Sequence, residues 1–83
     1  MMRWTLAYAR DVVTYLTKPR EDRSEIRRRV RSLGQGIPES AIPIQERPET
    51  WRWDVAQHRV VFVVDQETKW IHVTVVRPLR VDV

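Results

Sequence analysis

The sequence contains no cysteine, which excludes disulfides and cysteine-rich zinc sites. No apolar run approaches the roughly 18 to 20 residues that cross a bilayer. The N-terminal segment MMRWTLAYARD also lacks the uninterrupted apolar stretch of a signal peptide. We therefore expect a protein without a membrane partner and with a cytoplasmic location.

Lysine is scarce, because thirteen of the fifteen basic residues are arginine. With eleven acidic residues the formal charge is +4, and a small electropositive domain attracts polyanions. The guanidinium group suits two-point contact with phosphate. A GC-rich genome that encodes basic residues as arginine explains the same bias without any function. The 83 residues, 42% of them hydrophobic, predict one folded domain spanning residues 1–83.

Apolar residues alternate between residues 3 and 8, which is typical of a short strand. From Leu6 to Leu16 they also fall at helical spacing, so one longer helix is the alternative. We expect a strand and then a helix from about Ala9, because enough apolar residues follow for two turns. Pro19 ends this helix, since the residue before a proline is disfavoured in the α region.

A second helix is predicted to begin at Pro19 and to end at Gly34. Its apolar stripe consists of Ile26, Val30 and Leu33. Arginines occupy much of the remaining surface, among them Arg27, Arg28 and Arg31. They form either a strip that binds phosphate groups or an ordinary solvated helix face. Residues 35–50, which hold three prolines, are expected to form a crossover loop.

Residues 51–76 read as three consecutive strands. A two-residue turn at residues 56–57 pairs Val55 with His58. This turn lacks the Asn or Gly that such turns prefer, so a longer or bulged loop is the alternative.

The next hairpin has two possible registers. Pairing Val64 with Trp70 would bury polar residues, whereas pairing Asp65 with Trp70 buries the aliphatic ones. We predict the second register, because a shift of one residue exchanges the two faces completely.

These registers give the sheet a core face and an open face. The core face is predicted to carry Trp51, Trp53, Val60, Phe62, Val64, Ile71, Val73 and Val75. The open face is predicted to carry Arg52, Asp54, Arg59, Trp70, His72 and Thr74, with Arg77 or Arg80 at its edge. Basic and aromatic groups on one face are typical of a nucleic-acid surface. The alternative is a solvated sheet face with a simple pair between Asp54 and Arg59.

The predicted fold class is α+β: an N-terminal strand and two helices packed on an antiparallel sheet of three to four strands. This order, with the segment W-R-W-D-V-x-x-H-R-V-V-F-V-V-D and the later V-x-V-V-R, resembles the RelE/ParE superfamily of bacterial toxin–antitoxin toxins. The resemblance implies a cytoplasmic toxin that inhibits translation as a ribosome-dependent endoribonuclease of mRNA and uses neither metal nor cofactor. It also implies an antitoxin partner. The alternatives are a ParE-like inhibitor of DNA gyrase and a catalytically silent RelE-like binding module.

The resemblance also implies roles for particular residues. Arg59 matches a phosphate-stabilising arginine, Arg52 a basic residue of the preceding strand, and Arg77 or Arg80 a basic residue near the C-terminus. His72 is the candidate proton donor, because no Tyr or His follows the last arginine. The expected RNA-binding residues are Arg80, Asp54, His58, Trp70, Arg27, Arg28 and Arg31. Asp54 and His58 depart from the family pattern, since a basic or general-base residue is usual at the first position and a tyrosine at the second.

Overall fold

The computed structural model describes residues 3–19 and 23–79. Two helices, α1 and α2, cover Arg10–Thr17 and Ser24–Arg31, and a 3-10 helix follows over Ser32–Gln35. The five strands are β1 (Thr5–Tyr8), β2 (Ile42–Pro43), β3 (Thr50–Val55), β4 (His58–Asp65) and β5 (Trp70–Pro78). The prediction of a first strand followed by a helix is confirmed. Pro19 lies outside any helix and α2 begins at Ser24, whereas the sequence suggested a start at Pro19.

The strands form one sheet in the order β1-β5-β4-β3-β2. Strand β1 lies parallel to β5, while the other neighbours are antiparallel. A parallel pair needs a long crossover connection, and here both helices belong to that connection. The α+β class is confirmed, but the sheet is mixed and has five strands. The additional strand is β2, a two-residue edge strand within the predicted crossover loop.

Both predicted hairpin registers are confirmed. Val55 pairs with His58 and Asp54 with Arg59 in the first hairpin, and Asp65 pairs with Trp70 in the second. Residues 56 and 57 both have positive φ, of 52° and 60°. Positive φ at both central positions is the conformation of a type I′ turn, whose twist matches that of the flanking strands.

A β-bulge in β5 changes the predicted faces beyond Val73. Phe62 pairs with Val73 but Val61 pairs with Val75, so Thr74 is an extra residue. The hydroxyl of Thr74 donates a hydrogen bond to the carbonyl oxygen of Val61 at 3.1 Å. As a result Val75, which was predicted to be in the core, is 36% exposed, and Val76 is buried instead with 8% exposed.

The bulge also decides where Arg77 lies. An unbulged strand would place Arg77 on the core face opposite His58. A buried charge without a partner is costly, so this register is unfavourable. With the bulge, Arg77 pairs with Arg59 on the open face.

The core lies between the two helices and the core face of the sheet. The helical side contributes Val12, Leu16, Ile26, Val30 and Leu33. The sheet contributes Trp53, Val60, Phe62, Val64, Ile71, Val73 and Val76. No helix within the described ranges has the length and apolar character that crossing a membrane requires.

Candidate functional site

The open face of the sheet carries the side chains that alternate with the core residues. On the three central strands it presents Arg52, Asp54, Arg59, Val61, Val63, Trp70, His72, Thr74, Val75 and Arg77. The two helices pack against the other face, because their buried residues belong to the core cluster. Polar and aromatic groups predicted for this face therefore do lie on it.

The basic residues gather at the end of the open face near the turn that joins β3 and β4. Asp54, Arg59 and Arg77 are paired across three neighbouring strands, which lie about 4.8 Å apart. Arg52 is two residues before Asp54 on the same face of β3. We call Arg52, Arg59 and Arg77 the arginine cluster. With the single carboxylate of Asp54, the group keeps an excess of positive charge.

Arg59 and Asp54 form a two-point ion pair. The Nε and Nη2 groups of Arg59 donate hydrogen bonds to Oδ1 and Oδ2 of Asp54, at 3.0 and 3.3 Å. These hydrogen bonds, helped by the charges of Arg59 and Arg52, lower the pKa of Asp54. Asp54 is therefore held as a carboxylate and is a weak proton acceptor. A phosphate group that binds Nε and Nη2 of Arg59 has to displace the carboxylate of Asp54.

Trp70 and His72 lie at the other end of the open face. Their rings are stacked, with centroids 5.9 Å apart and planes inclined by 21°; we call them the aromatic pair. His72 is paired with Val63, four residues along β4 from Arg59, which corresponds to about 13 Å. His72 is therefore not adjacent to the arginine cluster. It does not have the position next to the cluster that a proton donor to a phosphate bound there would need.

His58 is a core residue and not part of the open face. Only 5% of it is exposed, and both ring nitrogens are engaged. Nδ1 lies 2.7 Å from the carbonyl oxygen of Ala56, and Nε2 lies 2.7 Å from the hydroxyl of Tyr15. A carbonyl only accepts, so Nδ1–H donates to it and Nε2 accepts from Tyr15. The pairing of His58 with Val55 was the sequence signal for this burial.

The helix arginines are also separated from the open face. Arg27 donates from Nη1 to the carbonyl oxygen of Leu16 at 2.8 Å, which joins the two helices. Arg28 and Arg31 are exposed on α2, whose buried residues face the other side of the sheet. These three predicted RNA-binding residues therefore do not share a surface with the arginine cluster. Arg80 lies outside the described residues.

No group of three or more His, Asp or Glu side chains within residues 3–19 and 23–79 is arranged to hold a metal ion. Within these residues the open face offers guanidinium groups, the carboxylates of Asp54 and Asp65, and two aromatic rings.

The sequence matches no protein-family model and no curated protein. Among solved structures, it is similar to the archaeal RelE–RelB complex from Pyrococcus horikoshii OT3, with a TM-score of 0.76 and 18% identity over 94% of this chain and 97% of that chain. The isolated E. coli RelE toxin gives a TM-score of 0.72 and 16% identity over 95% of this chain and 87% of that chain. The toxin–antitoxin complex RelBE2 from Mycobacterium tuberculosis gives a TM-score of 0.65 and 16% identity over 92% of this chain and 98% of that chain. The chain has the RelE-like toxin fold.

The predicted resemblance to RelE is thus confirmed at the level of the fold. The similarity extends over more than nine-tenths of this chain. At 16–18% identity it carries no residue roles.

Proposed function

We propose that this protein is the toxin of a type II toxin–antitoxin pair and that it cleaves mRNA on the ribosome. The observation that carries the proposal is the arginine cluster on the open face of a RelE-like fold. Three guanidinium groups on neighbouring positions suit the phosphates of a single RNA strand.

The proposed reaction is an attack of a ribose 2′-oxygen on the adjacent phosphorus. The new bond closes a 2′,3′-cyclic phosphate, the bond to the 5′-oxygen breaks, and the proton lost from the 2′-OH is balanced by one gained by the leaving 5′-oxygen. Negative charge builds up on the phosphate oxygens in the transition state. Arg59 and Arg77, on directly paired positions, stabilise that charge once the phosphate has replaced Asp54 as the partner of Arg59.

Catalysis in this proposal is mainly electrostatic. Asp54 has a lowered pKa and is a poor base, and His72 lies on the order of 13 Å along the sheet from Arg59. The same two facts favour a second candidate, a toxin that binds its target without cleaving RNA. An inhibitor of DNA gyrase or a catalytically silent RelE-like module belongs to this class.

A toxin of this kind requires an antitoxin. A groove between β1 and the two helices is lined by Tyr8, Val13 and Leu16 and is flanked by Arg27 and Arg31. Apolar walls beside two cations suit an amphipathic segment with acidic residues. Two of the similar structures are complexes of a RelE-type toxin with its antitoxin, which supports this partner.

The test is to add the protein to a translation extract and to map mRNA cleavage. Arg59→Ala and Arg77→Ala are expected to lose most cleavage, because each removes a charge at the reacting phosphate. Arg28→Ala is the matched control, since Arg28 is an exposed arginine on the other side of the molecule. All variants should unfold at the temperature of the wild type.

Two results would contradict the nuclease proposal. Full cleavage by Arg59→Ala and Arg77→Ala would exclude the arginine cluster as the site. Intact mRNA together with inhibited gyrase supercoiling would replace the nuclease by the gyrase-inhibiting alternative.

A further inference from the structure

The aromatic pair is exposed, in contrast to the two most buried rings of the core face. Trp53 and Phe62 are 5% and 0% exposed on the core face. Trp70 is 38% exposed on the open face and contacts the ring of His72, which is also exposed. This pair therefore contributes little to the core and leaves aromatic surface in contact with water.

An apolar strip connects the aromatic pair with the arginine cluster. Val61 and Val63 of β4 are half-buried on the open face, and Val75 lies beside Val61 at the bulge. The open face thus has cations at one end, stacked rings at the other and aliphatic side chains between them. Proteins that bind single-stranded nucleic acid combine backbone contacts from cations with aromatic rings on which bases stack.

We propose that the aromatic pair is a base-stacking subsite for a single-stranded RNA whose phosphates are held by the arginine cluster. The proposal rests on the proposed function, and it names Trp70 as the ring that contacts a base several residues along the sheet from the reacting phosphate. His72 is a positioning residue in this subsite, because its ring supports one side of the indole.

The charges around the aromatic pair are compatible with RNA. Asp65 is paired with Trp70, but its Oδ1 accepts hydrogen bonds from the backbone amides of Glu67 and Thr68, at 3.0 and 3.3 Å. The carboxylate is therefore held in the β4–β5 turn and partly neutralised by amide dipoles. Lys69, in the same turn, adds a cation above the ring of Trp4.

The experiment measures binding and not cleavage. Two labelled probes are used: a short oligoadenylate with 2′-O-methyl groups, which cannot be cleaved, and an abasic strand of the same length. Trp70→Ala is expected to weaken binding of the oligoadenylate about tenfold, because stacking on one base is worth roughly that factor. Binding of the abasic strand should not change, and Trp70→Phe should recover most of the affinity. His72→Ala is expected to give a smaller loss with the same selectivity.

Thr14→Ala is the control. Thr14 is exposed on α1, and this helix packs against the opposite face of the sheet. It should leave the binding of both probes unchanged. Thermal unfolding of every variant shows whether a loss of binding comes from a loss of fold; if Trp70→Ala fails to fold, Trp70→Phe and His72→Ala decide.

Three results would overturn the subsite. The wild type does not bind the oligoadenylate, Trp70→Ala binds the oligoadenylate as tightly as the wild type does, or Trp70→Ala loses as much affinity for the abasic strand as for the oligoadenylate. If Arg59→Ala and Arg77→Ala still abolish mRNA cleavage in the first two cases, the proposed function survives without the subsite. If the selective loss is found but mRNA stays intact, the subsite stands and the nuclease proposal fails.

Discussion

Removing the hydroxyl of Tyr15 tests whether His58 acts through stability or through RNA. The Tyr15 hydroxyl lies 2.7 Å from Nε2 of His58, and His58 is 5% exposed. Tyr15→Phe keeps the ring, so its edge-on contact with His58 and its position under the guanidinium of Arg23 are retained. It leaves a buried acceptor without its partner, which costs about 1–3 kcal/mol.

For a domain of this size, each kcal/mol lowers Tm by roughly 4–8 °C, so the expected fall is on the order of 10 °C. Urea unfolding followed by tryptophan fluorescence gives the free energy of unfolding, and a double-mutant cycle with His58→Ala isolates the coupling between the two side chains. Tyr8→Phe is the control, because Tyr8 is exposed and its change is expected to stay within about 0.5 kcal/mol.

Tyr15→Phe is also expected to leave RNA binding unchanged. Below the unfolding transition, its affinity for RNA should equal that of the wild type, because His58 lies on the core face. An unaltered free energy of unfolding combined with a loss of RNA binding would refute the assignment of His58 to the core.

Three further predictions concern charge. Asp54→Asn is expected to raise RNA affinity several-fold at fixed salt, because it releases Arg59 from a competing carboxylate; weaker binding would mean that Asp54 holds Arg59 in position. The logarithm of the RNA binding constant should fall with the logarithm of salt at a slope of about −2 if all three arginines contact phosphates, and Arg77→Ala should make the slope shallower by about 0.7; an unchanged slope would place Arg77 away from phosphate. Asp65 has a lowered pKa, chiefly because the amide and side chain of Thr68 hydrogen-bond to it, so its stabilisation is present above its ordinary pKa of 3.8 and is lost as pH falls through the folded-state value. Unfolding measured at pH 7 and pH 3 should therefore show a larger loss of stability for Asp65→Asn at pH 7 than at pH 3, and an equal loss at both pH values would contradict this.

The sequence by itself determined the registers of both hairpins. Period-two alternation is decisive here because a slip of one residue would bury Trp70, His72 and Thr74 and expose the aliphatic residues. The same alternation placed Asp54 opposite Arg59, which the ion pair at 3.0 Å confirms. It also paired His58 with Val55 on the face of Trp53, but the prediction that His58 binds RNA missed its burial, which the structure shows.

Tertiary structure alone decided the bulge and the outer strands. Val75 and Val76 are equally apolar, so local periodicity does not tell which of them is buried; the choice depends on keeping Arg77 out of the core opposite His58. The parallel pairing of β1 with β5 joins segments more than sixty residues apart, and no short-range pattern encodes it. The same bulge brings Arg77 beside Arg59 and so completes the arginine cluster, because alternation without the bulge would place Arg77 on the core face.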